Sequence, residues 1–223
     1  MTNVCFPNES AEYRKARNEL LKAETELRSH IERVAEQRRN LPAGGQVKED
    51  YVFEELHEGE VRQVRLSELF QENHDTLFIY SFMYAPEMDN ACPMCTSLLD
   101  GLDGQIRHIN QNISTAVVAK HDIHVIHEHA RERGWRNFRL LSSAKNSYNK
   151  DYYGEIDGQQ TTTANVFHRK NDKTFHFWNS ELSYQPMMEG GNMRHLDLIW
   201  PVWNVLDMTP HGRIEDWYPK LDY

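Results

Sequence analysis

Residues 76–112 read TLFIYSFMYAPEMDNACPMCTSLLDGLDGQIRHINQN. The stretch opens with a nearly continuous apolar and aromatic run, residues 77–84, which is typical of a buried β-strand. After a short loop, apolar side chains recur every three or four residues, and this spacing predicts an amphipathic helix. The helical set is Cys95, Leu98, Leu99, Leu102, Ile106 and Ile109. The Cys-Pro-Met-Cys sequence of residues 92–95 is therefore predicted where a strand has ended and a helix begins.

This position gives the first cysteine a chemical role. Pro93 suits the first turn of a helix, where its missing N–H is not needed, so Cys92 is predicted at or near the N-cap. Unpaired backbone N–H groups and the helix dipole favour an anion there. We therefore expect the pKa of Cys92 to lie below the value of about 8.5 for a free thiol. Cys95 follows one turn later, less exposed and within reach of a disulfide. The layout is typical of a redox-active dithiol; two ordinary half-buried cysteines, or two metal ligands, are the alternatives.

Composition narrows the class of protein. The 223 residues include 25 Lys and Arg against 34 Asp and Glu, a net charge of −9, with both signs interspersed. We expect no nucleic-acid partner, because such proteins present a basic face. No apolar run is long enough to cross a membrane, and the N-terminus lacks a signal-peptide pattern, so no membrane partner and a cytoplasmic location are expected. Three cysteines are too few for a disulfide framework, which favours a catalytic or metal-binding Cys-x-x-Cys pair over a structural one.

The remaining pattern predicts a mixed α/β fold, with a central sheet flanked by helices. A long amphipathic helix over about residues 10–40 predicts an N-terminal helical arm, residues 1–45, followed by one domain, residues 46–223. Strands separated by helices indicate parallel pairing through right-handed crossovers, and a late hairpin adds antiparallel strands. The other predicted elements are strands at 51–53, 61–64, 114–119 and 138–141, a helical turn at 67–70, a helix at 122–133, hairpin strands at 165–169 and 174–178, and a helix within a C-terminal extension at 193–206. Gly101 and Gly104 are predicted to face a close neighbour, since each weakens the helix.

Three further groups of side chains are candidate sites. Four histidines crowd one predicted helix and could bind a transition metal, although a polar helix face is the favoured interpretation. They are His121, His124, His127 and His129. Four scattered histidines, any of which could complete a site with the cysteines, are His108, His168, His176 and His195. The aromatic residues Trp200, Trp203, Trp217 and Tyr218 are interpreted as core or subunit interface rather than as a peptide groove.

The order of strand, Cys-Pro-Met-Cys, helix, βα unit and late hairpin resembles the thioredoxin fold. Nearly the whole chain resembles more closely the bacterial domain-of-unknown-function family 899 (DUF899), whose members are labelled predicted dithiol–disulfide oxidoreductases. The matching segments are Arg38-Arg39-Asn40-Leu41-Pro42, Tyr51-Val52-Phe53, Leu66-Ser67-Glu68-Leu69-Phe70, Cys92-Pro93-Met94-Cys95-Thr96, Asp100-Gly101, Gly104, Gly134-Trp135, Ser142-Ser143, Val166-Phe167-His168, His176, Leu206-Asp207-Met208-Thr209-Pro210 and Gly212-Arg213.

The resemblance implies a thiol–disulfide oxidoreductase with Cys92 as nucleophile and Cys95 as resolving thiol. Pro93, Met94 and Thr163 are the expected neighbours of the site. The expected partner is a disulfide-containing protein or a small thiol or disulfide, and no cofactor or metal is expected. A homodimer would form through the N-terminal helix or the Trp-rich C-terminal segment.

Three departures from well-studied relatives keep other functions open. Thioredoxins carry a cis-proline before the late hairpin, but residues 161–165 contain no proline, and Ala91 replaces the Trp that usually precedes the first cysteine. Peroxiredoxins place Thr or Ser three residues before their reactive cysteine, where this chain has Asp89, whose carboxylate is expected to raise the pKa of Cys92. The alternatives are a non-enzymatic binding module or metal-binding protein, and a thiol-dependent peroxidase.

Overall fold

A computed structural model describes residues 4–184, 197–213 and 217–222. Contacts divide the chain into two units, residues 1–42 and 43–223. The first unit contains helix α1 (Ala11–Arg39), which begins where the Ser10 hydroxyl accepts a hydrogen bond from the Tyr13 amide at 3.1 Å. No residue of α1 is buried. No helix in the described ranges combines the length and the apolar character that crossing a bilayer requires.

The second unit contains strands and helices in the following chain order: β1 (Val52–His57), β2 (Glu60–Arg65), β3 (Thr76–Phe82), α2 (Pro93–Ile109), β4 (Ser114–Ala119), α3 (Ile123–Arg133), β5 (Leu140–Ser142), α4 (Tyr148–Asp151), β6 (Glu155–Ile156), β7 (Gln159–Gln160), β8 (Thr163–Lys170), β9 (Lys173–Asn179) and α5 (Pro201–Asp207). Seven of these strands form a mixed sheet with the order β2-β1-β5-β4-β3-β8-β9. Strands β6 and β7 form a separate two-stranded hairpin after α4.

The pairing of the strands defines the fold. Strands β3 and β4 are parallel, as are β4 and β5, and α2 and α3 form the crossovers between them. Strand β8 pairs antiparallel with β3 and with β9, so β3 lies inside the sheet, between β4 and β8. The order β4-β3-β8-β9, with the Cys-x-x-Cys pair between β3 and the helix that follows it, is that of a thioredoxin-like fold. The predicted mixed α/β class is therefore confirmed.

Strand β3 separates two hydrophobic cores. Because successive side chains of a strand point to opposite faces, Leu77 and Ile79 join one core while Tyr80 and Phe82 join the other. The second core also contains Cys95 and the apolar face of α2. Tyr80 is therefore placed in the same core as the dithiol.

Helix α2 is fixed against its neighbours at two points. A Cβ atom built on Gly101 would lie 3.1 Å from the ring of Pro201, so the close packing predicted at this glycine is confirmed. The same prediction is wrong for Gly104, where a Cβ would meet nothing within 4 Å. The carboxylate of Asp103 accepts hydrogen bonds from the backbone amides of Arg136 and Asn137 at 2.9–3.2 Å. These contacts join the helix to the loop that precedes β5.

Three elements differ from the sequence prediction. Strand β5 begins at Leu140 rather than at residue 138, although the Arg139 carbonyl already accepts a bond from the Val117 amide at 2.9 Å. The β6–β7 hairpin was not predicted, because its strands have only two residues each. In the C-terminal extension, residues 193–196 lie outside the described ranges, and α5 begins only at Pro201, which suits the first position of a helix.

Candidate functional site at the start of helix α2

Cys92 occupies the N-cap of α2, as the sequence predicts, with Pro93 in the first helical position. Its extended backbone (φ −61°, ψ 119°) turns the chain into the helix. The Cys92 amide donates to the Met83 carbonyl at 3.1 Å, and the Thr96 hydroxyl donates to the Cys92 carbonyl at 3.0 Å. These bonds anchor the loop that follows β3 and fix the backbone that carries the first cysteine.

The two thiols are free and lie in different environments. Cys92 is half-buried, whereas Cys95 is only 1% exposed. A hydrogen bond from the Cys95 thiol is the main factor that lowers the pKa of Cys92 to about 6, and the backbone N–H groups of Cys95 and Met94 act in the same direction against the effect of burial. The sulfur makes no capping hydrogen bond of standard geometry, so the helix amides assist the Cys95 thiol rather than act alone. At neutral pH Cys92 is therefore mainly a thiolate.

Cys95 has the opposite tendency. Burial raises the pKa of Cys95 well above its ordinary value, and the hydrogen bond to the negatively charged Cys92 raises it further. The pair therefore consists of an acidic, accessible sulfur and a buried sulfur that keeps its proton while Cys92 is charged.

A buried phenol lies behind the second sulfur. Tyr80, which is 2% exposed, hydrogen-bonds to Cys95, and burial together with the Cys95 charge raises the pKa of this phenol well above its ordinary value. The Thr162 hydroxyl donates to the Tyr80 oxygen at 2.7 Å, which leaves the phenol proton available for Cys95. If Cys95 loses its proton, Tyr80 is placed to donate a hydrogen bond to the resulting thiolate.

The C-terminal segment, residues 217–222, supplies a second phenol. The Tyr218 hydroxyl hydrogen-bonds to the Cys92 sulfur, and this bond lowers the pKa of the cysteine. Burial first, and then the charge of Cys92, raises the pKa of Tyr218 to about 12, so its phenol remains a donor at neutral pH. The segment is held by Arg133, whose guanidinium donates to the Leu221 carbonyl, and by Trp217, whose ring lies 5.5 Å from that of Trp203.

The chain matches one known protein family over almost its whole length. A family described as "Bacterial protein of unknown function (DUF899)" matches residues 4–223. The chain belongs to this family. No curated protein matches the chain.

Three solved structures that are similar to this DUF899 protein are distant from it in sequence. Reduced Prx3 from Vibrio vulnificus in complex with hydrogen peroxide has a TM-score of 0.46 and 13% identity, over 62% of this chain and 87% of that one. AhpC from Enterococcus faecalis has a TM-score of 0.48 and 11% identity, over 77% and 96% of the two chains. The mitochondrial 2-Cys peroxiredoxin from Plasmodium falciparum has a TM-score of 0.46 and 11% identity, over 78% and 99%.

Some residues on which the resemblance to DUF899 rested have structural roles beside the site. The Asp100 carboxylate accepts a hydrogen bond from the Trp135 indole N–H at 2.8 Å and forms an ion pair with Arg133. Gly134 ends α3 with a positive φ of 75°, a conformation that glycine adopts without strain. These contacts connect α2 to the end of α3, and through Arg133 to the C-terminal segment.

Of the three expected neighbours of the dithiol, Pro93 and Met94 belong to α2, whereas Thr163 is the first residue of β8. Pro93 and Met94 are half-buried in the first turn of α2. The Thr163 hydroxyl accepts a hydrogen bond from the side-chain amide of Asn179 at 2.9 Å, and it lies 3.3 Å from the Ser180 hydroxyl. Thr162, one residue earlier, makes the contact with Tyr80, as the alternation of side chains along a strand explains. The carboxylate of Asp89 was expected to raise the pKa of Cys92. Asp89 is exposed, and the pKa of Cys92 is lowered rather than raised.

The histidines that the structure describes do not gather into a metal site. Across residues 4–184, 197–213 and 217–222, no group of three or more His, Cys, Asp or Glu side chains is placed to hold an ion. His129 is buried rather than on a polar face, because it follows Ile126 by three residues on the inner side of α3. Its Nε2 lies 3.3 Å from the Thr96 hydroxyl, and its ring packs against Trp135 at 5.4 Å. His195 lies outside the described residues.

The scattered histidines that are described are engaged elsewhere. His108 is exposed in the last turn of α2, at the opposite end of the helix from Cys92. His176 lies 2.9 Å from the Asn165 side-chain oxygen, and His168 lies 3.8 Å from the Asp75 carboxylate. Neither contact involves a cysteine of the dithiol.

Sequence reasoning missed three contributors to the site, namely Tyr80, Thr162 and Tyr218. Tyr80 was visible only as one aromatic residue in an apolar strand, and Thr162 as one of three consecutive threonines. Tyr218 belongs to the aromatic C-terminal set, of which Trp200 and Trp203 are 4% and 8% exposed and pack in the core, as the favoured interpretation held. The alternation of side chains along β3 was the one signal in the sequence that could have indicated Tyr80. Tyr80 and Phe82 point to the same face of the strand, and this is the face that α2 covers.

Proposed function

We propose that this DUF899 protein is a thiol–disulfide oxidoreductase in which Cys92 is the nucleophile and Cys95 the resolving thiol. The observation that carries the proposal is the hydrogen-bonded pair at the start of α2, in which the half-buried sulfur has a pKa of about 6 and its buried partner keeps a proton. The thiolate is the attacking form in disulfide exchange, so the pair has one sulfur ready to react at neutral pH.

The reaction proceeds in two exchange steps. The Cys92 thiolate attacks one sulfur of a substrate disulfide, forms a mixed disulfide and releases the other sulfur as a thiolate. Cys92 is then neutral, so its charge no longer opposes ionisation of Cys95. Cys95 gives its proton to solvent or to the departing thiolate, with Tyr80 placed to stabilise the charge that develops. Cys95 then attacks the Cys92 sulfur, and the second substrate thiolate leaves. The substrate has gained two electrons, and the protein holds a Cys92–Cys95 disulfide.

The decisive test is stoichiometric oxidation of the reduced protein. One equivalent of bis(2-hydroxyethyl) disulfide should consume two thiols and give a single Cys92–Cys95 crosslink in peptide mass spectra, while Cys5 stays reduced. A dithiol such as dithiothreitol should restore both thiols. An unreactive pair, or a stoichiometric metal in elemental analysis that is lost in Cys92→Ser, would contradict the proposal and favour the binding alternative. Hydrogen peroxide serves as a second oxidant, because an acidic thiolate is also the first requirement of a thiol peroxidase.

We also propose that two copies of the chain pair through α1. Tyr13, Leu20 and Leu27 follow one another at seven-residue intervals and are 53%, 53% and 60% exposed. Such spacing is that of a coiled-coil seam. The buried positions of Trp200 and Trp203 argue against the second predicted interface. Sedimentation equilibrium should give a dimer for the native chain and a monomer for Leu20→Asp/Leu27→Asp, and a monomeric native chain would refute the pairing.

A further inference from the structure

Cys92 is one of the residues that line a shallow, open cavity of about 620 Å³. We call it the dithiol cavity. Cys92 lies beside an apolar wall that is made by Met83, Met88, Ala91, Pro93 and Leu221. The polar side chains that line it are those of Asn90, Lys220 and Asp222. Its volume is in the range of about 300–1,000 Å³ that is usual for sites that hold small molecules.

The C-terminal segment forms one side of the dithiol cavity and is firmly attached. Pro219 is buried, Trp217 packs against Trp203, and the guanidinium of Arg133 holds the Leu221 carbonyl. The Tyr218 hydroxyl reaches the Cys92 sulfur itself. These contacts fix one wall of the cavity before any substrate arrives, while the cavity stays open to solvent on its other side.

The loop before β8 is also poorly suited to an extended polypeptide. The Thr161 amide is already bonded to the Gly154 carbonyl at 3.0 Å, and the Thr162 hydroxyl is bonded to Tyr80. From Thr163 onward, β8 is paired with β3 on one side and with β9 on the other. Recognition of a protein disulfide by strand addition would need free backbone groups near the dithiol, and the Thr161 amide and the paired backbone of β8 are already occupied.

We propose that the dithiol cavity selects small disulfides with apolar substituents. This inference rests on the proposed function and names its substrate class. The apolar substituent occupies the wall formed by Met88 and Leu221 while the Cys92 thiolate attacks the adjacent sulfur. The exchange is the one described above: the disulfide is reduced to two thiols, the dithiol is oxidised, and an external small dithiol reduces it again. A charged substituent gains no apolar contact with this wall, and it gives up part of its hydration wherever it lies against Met88 or Leu221.

Two symmetrical disulfides test the selection, dipropyl disulfide and oxidised glutathione. The rate of each with the reduced protein is divided by its rate with dithiothreitol, which removes the difference in intrinsic reactivity. The corrected ratio should favour the apolar disulfide by about tenfold or more, the discrimination that small changes in apolar contact provide. Met88→Gln and Leu221→Gln should each lower this ratio about tenfold. Val61→Gln, an exposed position on β2, is the matched control and should leave it unchanged.

The outcomes separate the inference from the function on which it rests. A corrected ratio near one in the native protein, or a ratio that neither wall variant lowers, would overturn the selection while leaving disulfide reduction intact. If the native protein reduced both disulfides no faster than the Cys92→Ser variant does, the proposed function itself would be overturned. The pKa of Cys92, measured in Met88→Gln and Leu221→Gln, should stay near that of the native protein, which shows that the wall acts on binding and not on the thiolate.

Discussion

Replacement of Cys92 by Ser is expected to lower the rate of disulfide reduction by at least about a thousandfold, because a hydroxyl is not ionised at neutral pH and cannot replace an acidic thiolate. The other two cysteines cannot compensate. Burial and the Cys92 charge raise the pKa of Cys95, and a hydrogen bond from its thiol to Glu9 raises the pKa of Cys5. Serine is a favourable N-cap residue, so α2 should still form in this variant.

The rate would be measured by coupling the reduction of bis(2-hydroxyethyl) disulfide to the consumption of dithiothreitol. Cys5→Ser is the matched control, since it removes a thiol that is exposed and lies in the other unit, and it should retain the native rate. A Cys92→Ser variant that remains folded by circular dichroism and keeps more than about a tenth of the activity would refute the assignment of the nucleophile.

Replacement of Cys95 by Ala should stop the reaction after its first step. The Cys92 thiolate would still attack, but the mixed disulfide would have no internal thiol to resolve it. Turnover should fall about a hundredfold while the protein gains the mass of one substrate thiol, since only an external thiol then completes the exchange. Alanine is preferred to serine because a serine hydroxyl at this position could still donate a hydrogen bond to the Cys92 sulfur, whereas a methyl group removes the donor.

The same variant also tests the electrostatics of the pair. The Cys95 thiol is the main factor that lowers the pKa of Cys92, so the Cys92 titration should move upward in Cys95→Ala. The mass shift would be followed by intact-protein mass spectrometry during turnover. Native turnover without any mixed disulfide would show that Cys95 does not resolve the intermediate, and would favour a mechanism with a single thiol.

The local features of the site could be predicted because they depend on neighbours in sequence. A strand, a proline and a helical repeat together place Cys92 at an N-cap, and short-range geometry brings Cys95 one turn behind it. The position of Gly101 in α2 indicated a close neighbour in the same way, although only the fold identified it as Pro201.

The remaining contributors depend on how distant segments come together. Thr162 reaches Tyr80 because β8 pairs beside β3, and Tyr218 reaches Cys92 because the C-terminal segment is held at Arg133. No local repeat encodes either approach. The acidity of Cys92 was predicted with the correct sign, but it was attributed to the helix N-terminus alone, whereas the Cys95 thiol contributes most.

The direct measurement of the pKa of Cys92 tests the central claim, that this sulfur is ionised at neutral pH. The rate of alkylation by iodoacetamide should rise with pH through a midpoint of about 6 and then level off, since the thiolate is the reacting form. Tyr218→Phe removes a hydrogen bond to the thiolate and should move the midpoint upward, whereas Tyr153→Phe, at an exposed position, should not. A native midpoint near the free-thiol value of about 8.5 would contradict the account, because Cys92 would then be an ordinary cysteine at the end of a helix.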